Sequence, residues 1–251
     1  MNALPNQLSI FDTPATPDNI VPFPIQRHPH TQQRVSPIRD PQLIKQIYDA
    51  LRTSGKHGLR NATIFILQIA IGRRTNDMLS MRLQDVYDFT THTVKPVITV
   101  DEHKTGKTAR DLRIPPKTIN YLQEYIRTLK SKSPTSYLFP SQKRNPDKTQ
   151  RPLNTSSLDN IYKEITSTIY SKINTPQTHI SSYAARKTYG YNLYNKCMKE
   201  HNGVIPDTNI NALDYIQSLF NHKDIITTTR YIGTYDAVSE QLAAEIENDY
   251  L

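Results

Sequence analysis

The chain contains a single cysteine, Cys197, among its 251 residues. One thiol excludes an internal disulfide framework and any zinc site built on cysteines, and it fits a reducing cytoplasm. Long apolar runs are also missing. No stretch approaches the roughly 18 to 20 apolar residues that a membrane span requires. The opening "MNALPNQLSIFDTPATP" has neither a basic first segment nor an apolar one after it, so it does not read as a secretory signal, and a cytoplasmic protein is expected. Hydrophobic residues make up only 36% of the chain, and the mean hydropathy is −0.62, so the core must be economical. No alternating βα pattern, internal repeat, acidic cluster or pair of histidines at ligand spacing is present, and no metal or other cofactor is expected.

Positive charge is present in excess but is unevenly placed. Residues 235–251 carry five acids and no Lys or Arg, which leaves 31 bases against 18 acids, a net of +13, on the other 234 residues. Such a surface favours a polyanionic partner, nucleic acid first and an anionic membrane surface second.

Eight of the seventeen prolines fall in the first 41 residues. With Asn, Gln, Ser and Thr between them, residues 1–38 cannot bury enough apolar surface to fold alone and are read as a disordered arm. The pattern then becomes helical. Asp40 can cap "PQLIKQIYDALRT", with Pro41 at the tolerated first position. "NATIFILQIAI" is apolar on most faces and should lie at the centre of the core. "PVITVDEHKTGKTARDLRIP" reads as a β-hairpin turning at "KTGK". Four more helices follow in "PKTINYLQEYIRTLK", "SLDNIYKEITSTIY", "SYAARKTYGYNLYNKCM" and "NALDYIQSLFN", and "VSEQLAAEIEND" is the last. The expected fold is mainly α with a small antiparallel β-sheet, an α+β domain over residues 39–235 followed by an acidic helix at 236–251. In that helix Val238, Leu242 and Ile246 form a thin apolar stripe, suited to its own domain or to docking in a neighbouring copy.

Several side chains could hold a phosphate. Arg74 follows a buried helix and Gly72, where a turn can aim it inward, and Asp77 three residues on could orient it. Lys104 lies at the hairpin tip. Arg186 sits beside the apolar face of its helix, where an uncompensated guanidinium is costly. "FNHKDIITTTRYIGTYD" adds His222 and, nine residues later, Tyr231; a tyrosine there can be a packing residue or a nucleophile. Taken singly, each of these is a weak signal.

In order and spacing they resemble the tyrosine recombinases, the phage-type integrases. Gly72, Arg74, Asp77, Met78 and Leu79 match that family's first arginine box. Lys104-Thr105-Gly106 matches its hairpin lysine. Tyr183, Arg186, Lys187 and Thr188 take the register of the second box, and Leu219, His222 and Tyr231 match the third without a gap. The resemblance runs from residue 40 to 251. It implies a site-specific recombinase of double-stranded DNA that cuts and rejoins strands through a 3′-phosphotyrosine on Tyr231, without metal or ATP. Arg74 and Arg186 would neutralise the phosphate, Lys104 would act as general acid, and His222 would bond a phosphate oxygen or orient Tyr231. It further implies a dimer on one site and a tetramer in the synapse, on phage, plasmid or other mobile DNA. Tyr235, one helical turn beyond, is the fallback nucleophile.

The departures from the family pattern are specific. Tyr183 and Lys187 stand where histidines are usual, and Asn221 stands where a glycine commonly precedes the third-box His; His179, seven residues before Arg186 against three in the motif, is an alternative to Tyr183 but reads rather as a loop residue near the DNA. Only about 38 residues precede the matched region, as in short recombinases that consist of a catalytic domain. A non-catalytic DNA-binding relative and a type IB topoisomerase-like activity are the competing readings. Within the arm, Gln7, Leu8, Ser9, Ile10 and Phe11 ("QLSIF") resemble the short motif that docks bacterial proteins on the replication sliding clamp.

Overall fold

The computed structural model describes residues 35–100, 110–173 and 177–234. The arm with its Gln7–Phe11 patch, Lys104, Tyr235 and the acidic segment 236–251 lie outside them. Helix α1, Pro41–Thr53, starts as its sequence requires. The Asp40 carboxylate accepts from the Gln42 N–H at 2.8 Å and Pro41 occupies the first turn; such a cap contributes about 1 kcal/mol. α1 buries Ile47, Tyr48 and Leu51 against α2, Gly58–Ile71. α2 is buried on most faces and packs on α1, on α5 (Pro116–Thr128) and on α7 (Ser182–His201), so it is the central helix. α6, Thr155–Tyr170, closes the bundle against α1 and α7. A smaller cluster of Ile216, Leu219, Phe220 and Ile232 joins α7 to α8 (Ala212–Phe220) and α9 (Ile225–Ile232).

The hairpin is present as β3 (Val97–Val100) antiparallel to β4 (Arg110–Arg113), with Val97 opposite Arg113 and Val100 opposite Arg110. The connection carrying Lys104 lies between them. Among the described residues the expected antiparallel β-structure is divided into three separate two-stranded sheets. β1 (Tyr87–Asp88) pairs with β2 (Thr93–Val94), and β5 (Pro140–Arg144) with β6 (Gln150–Pro152). These strands are two to five residues long and mostly polar, so they carry no alternating signature. Two short helices, α3 (Thr75–Leu79) and α4 (Leu83–Val86), also lack a sequence period long enough to read. α9 was obscured differently. "IITTT" is β-branched, which disfavours helix locally, yet Asp224 caps it through the Thr227 N–H at 2.6 Å, and Thr228 and Ile232 are buried.

The packed chain also takes in residues 35–38, which composition had assigned to the arm. Ile38 is 2% exposed, and its N–H donates to Thr188 Oγ1 at 2.8 Å. Two apolar residues among prolines are enough to anchor this stretch once a groove beside α7 is there to receive them.

Candidate active site

The site is built where the ends of α2, α7, α8 and α9 converge. α2 stops at Gly72, whose φ of 61° lies in the left-handed region and over which Tyr189 packs so closely that an added Cβ would lie 2.2 Å from the ring. Only glycine meets both demands. The turn buries Arg73 and leaves Arg74, half-buried, capping the start of α3. A buried polar network holds this corner. Gln68, fully buried, donates to Thr75 Oγ1 at 3.1 Å and to the Ser182 carbonyl at 3.4 Å, and accepts from the Tyr162 hydroxyl at 2.8 Å. One amide side chain thereby ties α2, α3, α6 and α7 together. It fixes the residue after Arg74 and the residue one turn before Arg186.

Arg186 is 6% exposed. Its guanidinium lies 4.4 Å from the centroid of the Phe220 ring and donates to the Phe220 carbonyl at 3.4 Å. No carboxylate pairs with it among the described residues. Burial pulls its pKa down, the neighbouring Arg74 and Arg73 add to that, and Tyr231 opposes it.

α8 ends at Asn221, at φ 55° and ψ 49°. That left-handed cap explains why a glycine is common at this position in the family and why asparagine, the side chain that best tolerates the conformation, can replace it. The turn delivers His222, whose N–H donates to the Gln217 carbonyl at 3.0 Å and whose Nδ1 lies 3.1 Å from Thr228 Oγ1. The Thr228 hydroxyl donates to the Asp224 carbonyl at 3.2 Å. With its one proton so used, it accepts from Nδ1–H and leaves Nε2 as the basic nitrogen. Burial and the charges of Arg186 and Arg74 lower the His222 pKa, with Asp224 opposing.

Tyr231 sits near the end of α9, its ring edge-on to those of His222 (4.8 Å between centroids) and Phe220 (5.5 Å). Burial raises its pKa, the Arg186 charge and hydrogen bond pull it back, Tyr183 pushes it up and Arg74 lowers it. α9 can lie this close because position 190 of α7 is glycine; a Cβ there would come within 2.8 Å of both Ile232 and Phe220.

A cleft of about 540 Å³ is lined by Arg74, Asp77, Tyr183, Arg186, His222 and Tyr231. Asn76 and Thr155 complete its wall and hydrogen-bond each other. Asp77 is 4% exposed, and its Oδ2 accepts no hydrogen bond among the described residues. Tyr183, 58% exposed, stands at the cleft. Lys187 does not line it. Its Nζ instead donates to the Val35 carbonyl at 2.7 Å and lies 5.0 Å from the centroid of the Tyr231 ring. His179 is in the loop before α7, hydrogen-bonded to Thr178 and away from the cleft lining. Gln68, Tyr162, Phe220, Gly190 and Thr228 shape the site without a motif to announce them. Among the described residues no group of three or more His, Cys, Asp or Glu side chains could hold a metal ion, and no helix is long and apolar enough to cross a membrane.

Against known proteins, the profile of the phage integrase family matches residues 39–237, most of the chain. The chain belongs to the phage integrase family. Its fold is that of the solved tyrosine recombinases. The XerA recombinase superposes with a TM-score of 0.52 at 16% identity, over 84% of this chain and 63% of that one. XerH bound to its difH substrate, before cleavage, gives 0.53 at 16%, over 79% and 50%. A lambda integrase dimer bound to a COC′ core site gives 0.52 at 15%, over 80% and 49%. This integrase-family chain thus spans about half to two thirds of the length of the solved relatives. No curated protein matches it significantly. The family assignment agrees with the resemblance carried by the arginine boxes and by the spacing from His222 to Tyr231.

Proposed function

We propose that this chain is a site-specific recombinase that cleaves and rejoins double-stranded DNA through Tyr231. The observation that carries the reading is the convergence, in one cleft, of two guanidiniums, an imidazole and a phenol from segments up to 157 residues apart, Arg74 to Tyr231. Tyr231 Oη attacks the scissile phosphorus, the bond to the 5′ oxygen breaks, and the electron pair leaves with that oxygen, which takes a proton. Lys104, on the β3–β4 connection, is the donor that the family resemblance assigns. Arg74 and Arg186 each offer paired N–H donors to the non-bridging oxygens, whose charge grows in the transition state. The phosphodiester energy is kept in the 3′-phosphotyrosine, and attack by a 5′-hydroxyl reverses the step. His222 bonds a phosphate oxygen or orients Tyr231, whose ring it meets edge-on.

The charge of Arg186, which meets no carboxylate among the described residues, supports the reading. A buried guanidinium without a carboxylate is a standing cost that a bound phosphate removes. Assembly as a dimer on one site and a tetramer between two, at the nucleoid, belongs to the same proposal. A non-catalytic DNA-binding role is the second reading, favoured by the exposed Tyr183 where the family pattern has histidine.

Capture of covalent protein–DNA adducts under denaturing conditions, with nicked suicide duplexes and sequencing of the trapped DNA, tests it. Adducts at a discrete repeated site that vanish in Tyr231→Phe establish nucleophile and substrate together. DNA binding with no adduct on nicked duplexes selects the non-catalytic reading.

A further inference from the structure

We propose that residues 35–39 act as a strap that positions the Tyr231 ring, with Lys187 as its contact to the nucleophile. The inference rests on Tyr231 being the nucleophile. The strap grips both helices that flank the ring. On α7, the Val35 carbonyl accepts from Lys187 Nζ at 2.7 Å, and the Ile38 N–H donates to Thr188 Oγ1 at 2.8 Å. On α9, the Arg39 Nη2 donates at 2.7 Å to the carbonyl of Gly233, two residues past Tyr231, and the Arg39 guanidinium lies 5.2 Å from the Tyr191 ring. Pro37 packs on Gly233, where an added Cβ would lie 3.3 Å from its ring. Ile38, 2% exposed, anchors the whole.

Lys187 is the residue that couples strap to ring. An ammonium over an aromatic face is attracted to it, and more strongly as the phenol loses its proton. The Val35 carbonyl holds that ammonium in place, so release of the strap frees Lys187 and the end of α9 together. The histidine usual at this position is too short to reach from α7 to such a strap while capping the ring. Among the described residues, the other charged or titratable groups around Tyr231 are Arg186 and Tyr183 on α7, Arg74 at the start of α3, and His222 before α9. Lys187 differs from them in standing outside the cleft lining, so it touches the nucleophile without contacting the phosphate. It is a positioning residue.

The test uses the full chain with difluorotyrosine in place of tyrosine, which brings phenol titration into an accessible pH range. The Tyr231 fluorine signal is identified by its loss in Tyr231→Phe. Lys187→Met is expected to raise the Tyr231 midpoint by about half to one pH unit, and Lys187→Arg to restore most of the shift. Cleavage of nicked duplex should slow several-fold in Lys187→Met and in Arg39→Gln, with the double variant less impaired than the product of the two. Lys187→Gln provides a second variant should Lys187→Met fold poorly. An unmoved midpoint in both folded variants, or effects that simply multiply, overturns the inference. A shifted midpoint in a chain that forms no adduct would leave Lys187 as a contact of the Tyr231 ring, but would remove the recombinase reading and with it the positioning of a nucleophile.

Discussion

The His222 ring stands edge-on to the Tyr231 ring, 67° from coplanar, with 4.8 Å between centroids, while its Nδ1 is tied to Thr228 on the same helix as Tyr231. His222 and Tyr231 are therefore fixed to each other through α9, and the guanidiniums of Arg186 and Arg74 share their cleft, from α7 and from the start of α3.

The lowered His222 pKa has a consequence for stability against pH. Because the folded-state value lies below the ordinary 6.5, the unfolded chain binds the proton first as pH falls, so stability decreases below about pH 6.5 until the folded value is reached. His222→Gln should flatten part of that acid-side loss. Thermal melts between pH 7.5 and 5 on both proteins measure it. His57, also shifted down by burial, remains in the variant as the residual slope.

Arg186→Met should separate stability from function. Removing a buried charge that has no carboxylate partner among the described residues is expected to stabilise the DNA-free protein by about 1 kcal/mol, while cleavage falls by roughly a hundredfold or more. Melting without DNA and single-turnover cleavage of a nicked duplex provide the two readings. The stabilisation by added target DNA should shrink in the variant.

Tyr162→Phe removes the hydroxyl that donates to Gln68 and leaves a buried amide oxygen without its partner, at a cost of about 1–3 kcal/mol. As Gln68 also holds Thr75 and Ser182, cleavage should drop more than the stability loss explains at temperatures well below the melt. Denaturant unfolding and cleavage assayed together show whether it does.

Gly190→Ala is expected to push α9 away from α7 and α8. The added methyl carbon would sit 2.8 Å from Ile232 and Phe220, an overpacking that costs about 1–3 kcal/mol. The Tyr231 ring should lose its edge contacts, seen as altered ring-current shifts, and adduct formation should slow although every motif residue is intact.

Much of the helical frame was legible because its signals are local. Asp40 and Pro41 start α1 where the capping rules place them, and the nearly uninterrupted apolar run of α2 marked the centre of the core. Arg74, Asp77, Tyr183, Arg186, His222 and Tyr231, singled out by their spacing, line one cleft. Lys187 did not follow the pattern: a lysine one residue after Arg186 projects from a different side of α7, and there it found the Val35 carbonyl. α9 was hidden because β-branched residues disfavour helix on their own, and its cap and burial overrode that preference. The supporting residues Gln68, Tyr162, Thr228 and Gly190 have no motif because each matters only through a partner distant in sequence or on a packed neighbour.

By itself the sequence determined the order and spacing of the arginine, histidine and tyrosine side chains that line the cleft, and the starts of several helices, since cap, period and spacing act over a few residues. Tertiary structure alone decided that Arg186 is buried with no carboxylate partner among the described residues, that a Gln68 amide ties four helices around the cleft, and that residues 35–39 reach the surroundings of Tyr231 from nearly two hundred positions away. Those relationships depend on the distances between helices, and these arise only when the whole core closes.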